Sequence, residues 1–373
     1  MKPTPPVRPL AVLLKGLALF LVLDLLLAAV PLTGLGRLSL YNNLLPGRER
    51  FPFGENPAES YNLSLFDLDA MFASHVLADG PKPPDEYRIF LVGDSSVWGT
   101  LLRPQETLAG QLGAADLTVC GRPARVYNLG YPTISLAKDL MILDYALRYD
   151  PDLVVWLTTL EAFPADKQLT SPLLANNADR VDGLIARYGL PFDPADPALV
   201  RPDLWDRTLI GRRRALADLL RLQVYGVMWA ATGVDQAYPA DYEPAAVDLT
   251  ADLSFHDLDL STLDETSLNF AVLDAGHAAA GEVPLLLVNE PMLISGGANS
   301  DLRYNFFYPR WAYDRYRALL NDYAARRDWS LLDLWDAIPD ASYYTNSAIH
   351  LTPQGESILA ARLADAILQQ PCP

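Results

Sequence analysis

The sequence predicts an α/β protein: a parallel sheet covered on both faces by helices, with an apolar helix ahead of it and a mostly helical insertion within it. Three observations predict this. Short apolar runs alternate with amphipathic stretches of about ten or more residues, the pattern of strands joined by crossover helices. A run of about twenty mostly apolar residues near the N-terminus has the length of a bilayer span. Roughly one hundred residues separate the third strand from the fourth, too many for a structureless loop.

The elements follow in order. Residues 1–10 form a tail and 11–30 the apolar helix. Lys15, near its start, can snorkel to the interface. Asp24 lies deeper, and at about 100° per residue the two fall on opposite faces and cannot pair. Asp24 is therefore expected near the headgroups or against a polar group on a partner helix. Leu27, Ala28 and Ala29 make a poor cleavage site and Pro31 follows directly, which favours an uncleaved anchor over a signal peptide. Lys2 and Arg8 before the span are matched by Arg37, Arg48 and Arg50 after it, so the positive-inside rule does not fix orientation.

Residues 31–85 read as a juxtamembrane segment punctuated by Pro46, Gly47, Pro52 and Gly54. Within it, residues 64–77 carry helical periodicity through Leu65, Leu68, Met71 and Phe72, and His75 there is expected to pack or cap. The main domain, residues 86–370, contains strands at 87–92, 125–129, 153–158, 284–288 and 330–334. Helices are expected at 106–115, 135–149, 311–326 and 353–368. The insertion occupies about 165–275. Its most distinctive part starts with Arg212, Arg213 and Arg214 and continues through Leu219, Leu220, Leu222, Val224 and Val227 to Trp229. That pattern suits a lipid surface or a cap helix over the active site, and the cap is the preferred reading.

Composition excludes some functions. The net charge of −17 and pI near 4.6 leave no basic footprint for nucleic acid. Two cysteines, Cys120 and Cys372, make no metal-ligand cluster, and the sequence does not require a bond between them. No metal or cofactor is implied.

Chemistry is expected beyond the carboxyl ends of the strands, where ligands sit in open α/β sheets. Gly93, Asp94 and Ser95 follow the first strand and place a serine at the turn into a helix, where backbone N–H groups can meet an oxyanion. His350 stands just before the last helix, so the returning chain brings it to the same edge as a base for that serine. His256 and His277 are expected on the surface or in packing.

The order and spacing of these blocks resemble the SGNH (GDSL) hydrolases over roughly residues 87–368, interrupted by the insertion. The resemblance implies a three-layer, flavodoxin-like parallel sheet with Ser95 as nucleophile and His350 as base. It implies an oxyanion hole from the N–H groups of Ser95 and of Gly130, which follows Asn128 and Leu129. Two positions depart from the family pattern. Where the family has an oxyanion-binding asparagine after the third strand, this chain has Glu161, leaving Thr158, Thr159 or Asn289 as substitutes. Where it has an aspartate three residues before the histidine, this chain has Ser347, preceded by Asn346. A Ser95–His350 dyad is the conservative expectation, with Asp340 or Asp333 as alternative orienting carboxylates. The resemblance suggests esters of carbohydrate or lipid as substrates. The layout resembles proteins that modify envelope polysaccharide beside membrane O-acyltransferases, with the domain on the extracytoplasmic side. The rival expectation is a catalytically idle carbohydrate-binding or scaffold subunit.

Overall fold

The structure, a computed structural model, describes residues 8–30, 40, 44, 47–53, 68–234 and 241–372. The first element, α1, is the apolar helix Pro9–Ala28, which by length and composition can cross a membrane, a test that a signal sequence passes equally. A short helix α2 (Leu68–Ser74) precedes the sheet; residues 64–67 of the expected helix lie outside the described residues.

The sheet has six strands: β1 (Tyr87–Gly93), β2 (Thr118–Val119), β3 (Arg122–Gly130), β4 (Leu153–Thr158), β5 (Leu285–Asn289) and β6 (Ser330–Asp333). They lie in the order β2-β3-β1-β4-β5-β6. Strands β3, β1, β4, β5 and β6 are parallel, but β2 runs antiparallel to β3, so the sheet is mixed rather than wholly parallel. The cause is local. Cys120 and Gly121 both have positive φ, 52° and 77°, the geometry of a tight two-residue hairpin, and a hairpin can join only antiparallel neighbours. A two-residue strand carries too little periodicity to be seen in the sequence.

Period-two alternation divides the core into two layers. Phe90, Val92, Val154, Trp156, Leu285 and Leu287 point to one side. They meet α5 (Leu136–Ala146), α9 (Ala271–Ala280) and α10 (Arg310–Arg327) there. Ile89, Leu91, Val155, Leu157, Leu286 and Val288 point to the other, against α4 (Leu108–Ala114) and α11 (Pro353–Leu368). Between β1 and α4 sits a one-turn helix, α3 (Ser95–Trp98).

The juxtamembrane segment is not a separate linker where it is described. Phe51, Leu68, Met71, Phe72 and Leu77 belong to the main core. Trp98 Nε1 donates to Phe51 O at 2.7 Å, and Arg50 Nη1 donates to Gly99 O at 2.9 Å with its guanidinium over the Trp98 ring. His75 both packs and caps: Nδ1 accepts from Leu77 N and Nε2 donates to Asn128 O.

The insertion is less helical than expected. Helices α6 (Pro172–Ala175), α7 (Ala178–Tyr188) and α8 (Arg213–Thr232) are joined by long irregular stretches. Asp193, Asp196, Asp252, Asp259 and Asp264 each accept from the N–H two residues on, so their side chains supply the turns that a helix would otherwise supply from its backbone. Helix α8 buries only Asp218, Leu222 and Gly226, and none of its residues bonds to Ser95 or His350.

Cys120 and Cys372 are joined in a disulfide that ties the chain's end to the β2–β3 turn.

Candidate active site

Ser95 begins α3 immediately past β1. The turn is fixed by Asp94, whose Oδ1 accepts from Ser96 N at 2.8 Å as the helix N-cap. As the first residue of the helix, Ser95 has an N–H that no intrahelical carbonyl can accept, so this donor is left beside its own hydroxyl. Close packing behind the turn requires glycines. A Cβ on Gly93 would lie 2.5 Å from Val97 Cγ2, and one on Gly130 would lie 2.4 Å from Trp98 N.

His350 arrives on a hairpin. Tyr344 and Leu351 form an antiparallel bridge, and Thr345 N donates to His350 O at 2.8 Å. This brings Asn346 and His350 face to face: Nδ1 lies 2.8 Å from Asn346 Oδ1, and Nε2 lies 2.8 Å from Ser95 Oγ. An amide oxygen only accepts, so Nδ1 carries the proton and Nε2 presents its lone pair to the serine hydroxyl. Burial lowers the His350 pKa to about 4, which keeps the ring neutral and able to accept a proton at neutral pH.

The orienting group is therefore Asn346. Ser347 makes no hydrogen bond to the ring. Asp340 caps the turn Ala341–Tyr343 through Ser342 N, and Asp333 is held by Arg317 and Asn289, so neither aspartate orients the histidine.

Gly130 was expected to lend its N–H to an oxyanion. That N–H instead donates to Asn128 Oδ1 at 3.0 Å, while Asn128 Nδ2 donates to Val97 O at 2.8 Å. Asn128 thus staples β3 to the nucleophile helix. The proposed substitutes are also engaged elsewhere. Thr158 Oγ1 lies 3.4 Å from Val288 O, and Thr159 Oγ1 bonds Tyr308 OH at 2.8 Å. Asn289 donates to Asp333 and accepts from Tyr313 and Tyr316. Glu161 turns toward the insertion, where it meets Lys167 Nζ at 2.9 Å and His256 Nε2 at 3.1 Å. Its hydrogen bond raises the His256 pKa, and Asp166 holds Nδ1 at 2.9 Å, so His256 links the insertion to the end of β4. His277 stacks on Trp329.

Sequence reasoning missed the buried charges beneath the site. Lys138, fully enclosed, donates to Gly93 O at 2.8 Å and Tyr131 O at 3.0 Å and pairs with Asp139. It ties the ends of β1 and β3 together, two residues ahead of Ser95 on β1. Ser96 Oγ donates to Glu290 Oε2 at 2.5 Å. Burial, and next the charge of Asp94, hold the Glu290 carboxyl well above its ordinary pKa. Glu290 and Glu356 also line a small cavity beside Ser96, which neither Ser95 nor His350 lines. A lysine beside an aspartate in a helix's first turn looks in sequence like surface charge, which is why this arrangement was not legible.

No family model matches the sequence, and no curated protein matches it significantly. Solved structures with a similar arrangement are named as GDSL lipolytic proteins and esterases. One, from Veillonella parvula, is a member of the lipolytic G-D-S-L family: 11% identity, 76% of this chain and 99% of that one, TM-score 0.38. The M. smegmatis aryl esterase matches at 16% identity, 75% of this chain and 97% of that one, TM-score 0.34. A carbohydrate acetylesterase from Sinorhizobium meliloti matches at 13% identity, with 75% and 97% covered and TM-score 0.34. At these values the likeness assigns neither activity nor substrate, and the chemistry rests on the side chains described above.

Proposed function

We propose that the protein is a serine esterase or O-acyltransferase that acts on acyl esters, including O-acetyl esters, of envelope carbohydrate or lipid. The observation that carries this reading is the chain of two 2.8 Å contacts from Ser95 Oγ through His350 to Asn346. In the first half-reaction His350 Nε2 takes the hydroxyl proton as Ser95 Oγ attacks the ester carbonyl. The tetrahedral oxyanion forms beside the Ser95 N–H. It collapses to an acyl-serine as the imidazolium returns the proton to the leaving alcohol. Water or a sugar hydroxyl then takes the acyl group by the reverse sequence, giving hydrolysis or transfer respectively.

The apolar helix α1 supports membrane attachment, and the Cys120–Cys372 disulfide supports an oxidising compartment outside the cytoplasm. A membrane O-acyltransferase remains the partner this layout suggests.

A second reading, an idle binding or scaffold subunit, is favoured by one observation: the Gly130 N–H is already bonded, leaving the Ser95 N–H without a partner in stabilising an oxyanion. A fluorophosphonate probe separates the two. Labelling of the native protein that Ser95→Ala abolishes supports the enzyme. Absence of labelling in the native protein refutes it. Incubating an acetyl donor with and without an oligosaccharide acceptor then distinguishes transfer from hydrolysis.

A further inference from the structure

We propose that the segment from Leu204 to Met228 is a second membrane contact: helix α8 lies flat in the lipid headgroup region beside the end of α1, and so sets how the catalytic domain stands on the bilayer.

The sequence left α8 between a cap and a lipid-surface helix, and the structure shows no hydrogen bond from α8 to Ser95 or His350. What it shows instead is a connection to α1. Asp24, 6% exposed within an otherwise apolar helix, accepts a hydrogen bond from Leu209 N at 2.7 Å. Arg212 Nη1 donates to Leu27 O at 3.2 Å and to Val30 O at 2.8 Å, capping the carboxyl end of the same helix. The buried carboxylate of α1 thus meets a backbone N–H of its own chain rather than a partner helix. Asp24 lies four residues before Ala28, about 6 Å along the axis at 1.5 Å per residue. With α1 in a bilayer, Leu209 is therefore held about as deep as interfacial helices insert, roughly 5–10 Å into the boundary of headgroups and acyl chains.

From that point α8 leads away with one apolar stripe exposed. Leu220, Val224 and Met228, spaced by four, are 71%, 61% and 57% exposed. The buried stripe of the helix is Asp218, Leu222 and Gly226. At about 100° per residue, a two-residue offset places the exposed stripe about 200° around, on the face directed away from the protein. Asp218 is paired with Arg214 and Arg221, so its charge is compensated on the protein side. Just upstream, Leu204 and Trp205 are exposed as well, and tryptophan is enriched where membranes meet water.

Charge selects lipid over another occupant. In a chain with a net charge of −17, Arg207, Arg212 and Arg213, besides the Asp218-paired Arg214, outnumber the single Asp206 in one short stretch at the end of α8 tied to the span. Basic residues at a membrane surface attract anionic headgroups. An apolar stripe that continues from a bilayer-length helix and is rimmed by arginine fits an anionic bilayer surface.

The test uses the full chain in bilayers containing anionic lipid. Both native cysteines are in the disulfide, so a single introduced cysteine is the only reactive thiol for a spin label. Val22→Cys on α1 serves as the lipid reference, Asp322→Cys on α10 as the water reference, and Val224→Cys as the test position. All three side chains are exposed, so labelling does not disturb packing. The expected result is an oxygen-to-nickel-chelate accessibility ratio at Val224 several-fold above that at Asp322 and approaching that at Val22. A ratio equal to that at Asp322 would overturn the proposal, because the stripe would then face water. Shielding from both relaxants would also overturn it, because a protein surface would then cover α8. The inference rests on α1 lying in the bilayer, which the Val22 label reports independently.

Discussion

If the proposed mechanism holds, replacing Asn346 with aspartate makes His350 a stronger base and ester hydrolysis faster. Asn346 Oδ1 lies 2.8 Å from His350 Nδ1, so a carboxylate at this position accepts the same hydrogen bond and adds a negative charge facing the imidazolium. Two unit charges about 4 Å apart interact by about 4 kcal/mol at an effective dielectric of 20 and by about 1 kcal/mol in water. Residue 346 is exposed, so the realistic gain is at the lower end, about 1–2 kcal/mol. That corresponds to a 5- to 30-fold rise in kcat/KM, since about 1.36 kcal/mol is tenfold. The same interaction favours protonated His350. The base works only when neutral, so activity falls as pH drops through its pKa, which burial has lowered to about 4 in the native protein. In Asn346→Asp that acid limb should move up by about one pH unit. The assay is p-nitrophenyl acetate hydrolysis from pH 3.5 to 8. An unmoved limb with no gain at the plateau would refute the reasoning, because residue 346 would then not face Nδ1 in solution.

Other consequences are open to the same kind of check. Gly130→Ala drives a Cβ to 2.4 Å from the Trp98 backbone and should lower stability by about 1–3 kcal/mol, as overpacking does, and reduce activity with it. Gly113→Ala in α4 meets nothing within 4 Å and should instead add about 0.5–1 kcal/mol; urea titration of both variants measures the contrast. The bond between Cys120 and Cys372 closes a loop across 252 positions, so Cys120→Ser with Cys372→Ser should lose about 2–4 kcal/mol and lower Tm by roughly 3–7 °C; an unchanged Tm would mean the chain end is not held there. Burial raises the Glu356 pKa from 4.5 to about 8, so the folded state holds a proton that the unfolded chain releases between those values, and stability declines as pH rises through that window. Glu356→Gln should flatten the decline, read as thermal midpoints at pH 5 and pH 8.5.

Much of the fold was legible because buried parallel strands are nearly continuous apolar runs, and residues 87–92 and 153–158 coincide with β1 and β4 within a residue. The convergence of Ser95 and His350 was legible too, since strand ends in an open α/β sheet share one edge. The orienting role of Asn346 was not, because it depends on the hairpin that closes between Tyr344 and Leu351, and neither residue advertises that pairing. The commitments of Gly130, Thr159 and Asn289 were hidden for a related reason: a sequence shows which donors exist, and only the packed chain shows which acceptors reach them first. Lys138 and Glu290 were invisible because charge reads as surface until a neighbouring strand end is seen to enclose it.

The Arg50 guanidinium over the Trp98 ring and the Phe51 carbonyl that accepts from Trp98 Nε1 bear on how the protein can be trimmed. Cutting the gene at the start of β1 would discard the apolar helix α1 cleanly on paper, yet it would also strip two supports from the turn that carries Ser95. A fragment that begins ahead of residue 47 keeps those supports, whereas one that begins at residue 86 should fold poorly or leave Ser95 loosely held.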